Sequence, residues 1–193
     1  MNVAKQSAIT VTRAWVSDFV VGLNMCPFAA PMLKNERLRI IGDTSTDLAA
    51  IESMLLSECQ RLAEADPNDH GTTLIVYEQV AEQFFEYLDL VDRLNRLMNK
   101  QGWSGIFQLA TFHPEYCFEG VSSDDLSHFT NRSPWPMVHL IREDDISRAV
   151  DTYADIALVA EKNVETLRKM GALKLRKLLL PFLREQYLPQ CEE

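Results

Sequence analysis

His113, Glu115, Tyr116, Cys117, Glu119, His128, Asn131 and Arg132 crowd into one stretch of this chain, and His139, Arg142 and Glu143 follow closely. An imidazole beside carboxylates suits proton transfer, so His113 is the candidate general acid/base, with Glu115 or Glu143 to orient it. Arg132 and Arg142 offer a guanidinium fork for a carboxylate or phosphate, with Asn131 and Glu143 as further substrate contacts. His113 and His139 together with a carboxylate could ligate a divalent metal, because imidazole and carboxylate suit zinc, iron or manganese. The spacing H-x-E…H matches no metal motif, and a lone histidine between apolar neighbours is also the pattern of a hydrogen-bonded core residue. Cys26 precedes Pro27, and a thiol at a helix start has a lowered pKa and becomes a better nucleophile. His113 is the base expected within its reach, against a plainer reading of Cys26 as a small buried side chain at a corner. The arginines have a scaffolding alternative too, pairing with Glu115, Glu119, Glu143 or Asp144 to pin the chain.

These residues must be positioned by the elements around them. Two strand-like apolar runs, 106–112 and 137–141, bracket the polar stretch, and a connection of that length in a compact domain points to a site. Residues 7–23 place apolar side chains at three- and four-residue intervals, which predicts an amphipathic helix. A short strand over 38–41 follows, then a helix over about 47–64 capped by Asp43, Ser45 or Thr46. Thr72–Tyr77 is β-branched and apolar throughout and predicts a buried strand. A third helix over about 81–100 carries Phe84, Phe85, Leu88, Val91, Leu94, Leu97 and Met98 as its core stripe. Asp124-Asp125 reads as the cap of a short helix. Asp144 or Asp145 starts another helix, running to about 153. The chain from 158 to 186 is helical in pattern, broken near Gly171 and Pro181.

Alternating strands and helices predict an α/β fold: a single-domain sandwich of about four strands, in a mainly parallel or mixed sheet flanked by helices. No linker divides residues 1–193, and about 172–193 read as a C-terminal helical extension. Ligands in such sheets gather beyond the carboxyl ends of strands. His113 lies there, and Arg142 joins it only if the last two strands are parallel. An antiparallel pair would instead bring His113 near Pro134–Met137.

The 193 residues carry 28 acidic against 19 basic side chains, a net charge of −9. That balance disfavours nucleic acid as the main partner, because phosphate binding needs a basic surface. No apolar run is long enough to cross a membrane. The start, MNVAKQSAITVTRAW, lacks the apolar stretch of a signal peptide, so a cytoplasmic location is the expectation. Cys26, Cys59, Cys117 and Cys191 show no close pair, which argues for reduced thiols and against zinc-finger spacing. The stretch LKLRKLLLPFLREQ interleaves leucines with Lys174, Arg176 and Lys177; a core helix is its first reading and a homodimer interface its second.

Four blocks carry a resemblance: Cys26–Phe28 (CPF), Phe107–Gly120 (FQLATFHPEYCFEG), Phe129–Glu143 (FTNRSPWPMVHLIRE), and Asn163 with Lys169–Gly171 (KMG). In these the chain resembles the bacterial family filed as domain of unknown function 1415. The resemblance implies a soluble protein of about this length and carries no reaction with it. Its blocks contain Cys26, Pro27, His113, Pro114, Asn131, Arg132, His139, Arg142 and Glu143. The expectation is therefore a small enzyme or binding protein for an anionic small molecule, centred on 113–143. The alternatives are a divalent-metal enzyme using His113 and His139, and a non-catalytic ligand-binding or oligomeric module.

Overall fold

Every strand of the sheet is six residues long, and the pairing of the last two settles where the polar loop lies. The structure, a computed structural model, describes residues 7–152 and 158–184. Its strands are β1 (Leu38–Asp43), β2 (Thr72–Tyr77), β3 (Phe107–Phe112) and β4 (Met137–Arg142), in the order β1-β2-β4-β3. β1 and β2 are parallel, and β4 runs antiparallel to both β2 and β3. The sheet is therefore mixed, and β1, β2 and β3 all end on the same edge as β4 begins.

Helices cover both faces. The chain opens with α1 (Ala8–Trp15), continues as a π-helical stretch (Val16–Val21), and turns through α2 (Ala29–Lys34) into β1. Both crossovers between parallel strands, α3 (Leu48–Glu64) and α4 (Phe84–Lys100), pack on one face, where Ile75, Val138 and Leu140 meet Leu55, Leu62 and Leu94. After β4 come α5 (Glu143–Thr152), α6 (Val159–Met170), α7 (Ala172–Leu179) and a 3-10 turn (Leu180–Phe182). The opposite face takes α1, the π-helical stretch, α6 and α7, so residues from both chain ends share one core cluster: Trp15 and Phe19 with Leu167, Leu175, Leu179 and Phe182. The segment read as an extension thus contributes Leu175, fully buried, to that core.

Local chemistry explains the boundaries. Asp47, one residue beyond the expected caps, accepts the Ala50 N–H and starts α3. Asp125 caps the short 3-10 helix Leu126–Thr130 by accepting the Ser127 N–H at 2.7 Å. α2 is an addition to the expected elements, as is the π register after Trp15. The stripe expected on α4 needs correction: Phe85 is 81% exposed, Leu88 42%, and the buried side chains are Tyr87, Leu90, Leu94 and Met98. Tyr87 wins the inner position because its hydroxyl has two uses there. It donates to the Met137 carbonyl at 2.8 Å and accepts the Phe112 N–H at 2.9 Å, tying the end of β3 to the start of β4.

Candidate functional site

The loop from His113 to Pro136 leaves β3 and returns as its antiparallel neighbour, so both its ends lie at one edge of the sheet. His113 is fully buried between the rings of Phe84 and Tyr87, with centroids 5.3 and 5.1 Å away. Its Nδ1 accepts the Glu115 N–H at 3.0 Å, which leaves the proton on Nε2, donated to the Ala81 carbonyl at 3.1 Å. Burial pushes the ring's pKa down to about 4, only partly offset by the carbonyl bonds at Ala81 and Glu82. Ala81 is held in the left-handed region at φ 57°. The imidazole offered by the sequence as acid/base or metal ligand is thus neutral, enclosed and bonded to main chain on both nitrogens. Its geometry is that of a staple joining the loop to the turn before α4.

His128 has the same design. Nδ1 accepts the Phe118 N–H at 3.1 Å, and Nε2 lies 2.7 Å from the Ser122 carbonyl. The Cys117 Sγ stands 3.6 Å from Nε2, a thiol–imidazole contact absent from the sequence reading. Because that nitrogen carries the proton given to Ser122, the ring is not placed to take one from Cys117. Asn131 is also used locally: Nδ2 donates to the Thr111 carbonyl at 3.0 Å, and Oδ1 accepts from Thr130.

Four sequence candidates lie away from this loop. Arg142 pairs across the ladder with Phe107, whereas His113 follows Phe112, which pairs with Met137. Five residues of strand separate the two ends, about 17 Å at about 3.3 Å per residue. There Arg142 donates to the carbonyls of Leu62, Ala65 and His70, closing the C-terminal turn of α3. Glu143 opens α5 at the same end, its N–H on the Ile106 carbonyl. The expected fork of Arg132 with Arg142 is therefore not formed. His139 shares a sheet face with Met137, under α1 and α7, while His113 packs on α4 across the sheet. Its Nε2 lies 2.6 Å from Thr72 Oγ1, whose own proton goes to the Leu140 carbonyl, and burial lowers its pKa to about 4. The two imidazoles do not meet, and among the described residues no group of three or more His, Cys, Asp or Glu could hold a metal ion. Cys26 sits in the turn before α2. Its thiol is pushed up by burial, against the lowering by the Phe28 and Ala29 N–H groups, which goes with the plainer reading of a small buried side chain and against an acidified nucleophile. Cys59 and Cys117 are likewise free thiols, and Cys191 lies outside the described residues.

What the loop does build, with the two chain ends, is a pocket of about 340 Å³. Loop residues Glu115, Phe129 and Arg132 form one side, Trp15 of α1 another, and Arg176 of α7 with Phe182 a third. Arg132 is half-buried and oriented: Nε donates to the Tyr116 carbonyl at 3.2 Å, and the guanidinium lies 4.4 Å over the Phe129 ring. Burial lowers its pKa, with Cys117 and Glu115 acting in the opposite sense and Arg176 reinforcing the fall. Neither Arg132 nor Arg176 forms an ion pair among the described residues. Trp15 is 2% exposed, stacks on Phe19 and meets Phe112 edge-on, and its indole N–H is buried without an acceptor. It is also the residue at which the helix changes to π register, a device that re-aims side chains and is frequent at functional sites. The Ser133 hydroxyl, also in the wall, donates to the Trp135 carbonyl at 2.6 Å. Trp15 and Arg176 were missed as site residues because each reads as part of an ordinary amphipathic helix.

Among curated proteins and among solved structures nothing matches this chain. A family model matches residues 7–177, which takes in α1, the whole sheet, the polar loop and Arg176, and stops short of Phe182. The chain belongs to the family described as Protein of unknown function (DUF1415).

Proposed function

We propose that this protein binds a small anionic molecule in the pocket between the 113–134 loop, α1 and α7. One observation carries the reading: Arg132 is half-buried, clamped by Tyr116 and Phe129, and has no carboxylate partner among the described residues. Glu115 acts on this guanidinium without forming an ion pair, so the terminal N–H groups of a half-buried cation are left for a ligand to satisfy. Arg176 adds a second cation at the rim. The role is binding rather than chemistry on present geometry, since the loop's imidazoles are bonded inward and Ser133 is used on main chain.

The test is calorimetric titration with acetate and inorganic phosphate, for the wild-type chain and Arg132→Ala. Saturable binding of at least one anion is expected, weakened about tenfold or more in the variant, since a charge-assisted hydrogen bond contributes about 1.5–3 kcal/mol. Equal affinity in the two proteins would remove Arg132 from the site and the reading with it.

A further inference from the structure

The reading of the pocket as an anion site leaves open which anions fit, and four features of its wall narrow the choice. Charge comes first. Arg132 and Arg176 bring two positive charges to the lining and Glu115 one negative, so the described wall carries +1. A ligand with one negative charge neutralises it, whereas a phosphate monoester at two charges overshoots. Geometry comes second. With Nε bound to Tyr116 and the guanidinium carbon 4.4 Å from the centre of the Phe129 ring, the end of the Arg132 guanidinium that stays uncommitted is its pair of terminal nitrogens. Two parallel N–H groups in one plane match the two oxygens of a planar carboxylate.

Apart from Ser133, the rest of the wall is apolar. Trp15, Phe129, Leu179, Phe182 and Leu183 offer aromatic and branched surface, suited to a body that leaves water on binding. At about 340 Å³ the pocket is at the small end for organic ligands and suits a body of roughly ten to fifteen heavy atoms. Resting on the anion reading, we infer that this pocket takes an amphipathic monocarboxylate: one carboxylate on the Arg132 fork, with a compact apolar body against Trp15, Phe129 and Phe182.

Calorimetry with five probes tests it: naphthoate and octanoate as complete ligands, acetate as head group alone, naphthalenemethanol as body alone, and naphthyl phosphate as the dianion. Naphthoate or octanoate is expected to bind at least about tenfold tighter than each of the other three, a difference of about 1.4 kcal/mol. Two exposed positions give variants that leave the core untouched. Arg176→Gln should weaken the carboxylates severalfold. Glu115→Gln raises the wall's charge and should narrow the gap between naphthoate and naphthyl phosphate. Naphthyl phosphate binding as tightly as naphthoate to the wild-type chain, or the alcohol doing so, would overturn the monocarboxylate while leaving a ligand site. Failure of all the anions, phosphate ester included, would remove the anion reading beneath it.

Discussion

β4 begins and ends beside an arginine, and the two are put to opposite uses. At its far end Arg142 turns onto three carbonyls around the last turn of α3, while Arg37 closes the neighbouring turn by donating to the Pro67 carbonyl at 3.0 and 2.5 Å. Their donors are directed at the protein itself. At the near end Arg132 gives one N–H to Tyr116 and lines a pocket, beside histidines bonded to main chain. The lesson is one of direction. Inside a single loop, side chains pointing to the sheet build the loop, and those pointing to α7 are left for something else.

Four measurements would break or sharpen that contrast. Arg142→Ala should cost the most, about 2–3 kcal/mol by urea unfolding, because several charged hydrogen bonds to helix-end carbonyls disappear together. It should leave anion titration unchanged, and a variant of wild-type stability would show that this end is not closed by Arg142. Acid should act at the near end. A histidine whose folded pKa is about 4, against 6.5 unfolded, is protonated more readily in the unfolded chain. Stability is therefore full above pH 6.5 and is lost as pH falls toward 4. By pH 5 the loss should reach about 2 kcal/mol for each ring. His113→Phe should flatten the slope; an unchanged slope would mean that the ring is not held neutral.

Arg132→Ala reverses the Arg142 pattern. One hydrogen bond to Tyr116 goes, worth about 1 kcal/mol of stability, while anion affinity drops. Equal losses of stability in the two arginine variants would erase the distinction between the ends. Smallest of all is Leu173→Ser. This leucine is 72% exposed on α7, so unfolding free energy should move by no more than about 0.5 kcal/mol. A larger drop, together with a change in molecular mass by light scattering, would mark that face as an interface between copies.

Local pattern carried most of the fold. TTLIVY is buried at every position as its β-branched composition predicts, and the short helix after Asp125 follows from a cap visible in the sequence. α4 shows where pattern misleads. Phe84, Phe85 and Leu88 outweigh Tyr87 by hydropathy, but the tyrosine's buried hydroxyl has partners on two strands, a term no helical period contains. A concave spot lined by this loop was the expectation from its length and polarity, and the loop does line a pocket. The identity of its pocket-lining residues was not legible, because strand order decides them. Placing β4 between β2 and β3, antiparallel to both, sends Arg142 to the opposite edge of the sheet. Trp15 and Arg176 meet only because both chain ends cover the same face. One hint was available for Arg176: from Arg168 to Arg184 the sequence has no acidic residue, in a chain whose net charge is −9.

The pocket borrows from residue 15, from the middle of the chain and from residues up to 183, so its occupant would bridge segments far apart in the sequence. A guest lodged there would fasten α1 to α7, and its affinity would add to the work of peeling α7 away. Amide exchange along Ala172–Leu179 would then slow with occupancy, making α7 a built-in gauge of whether the pocket is full.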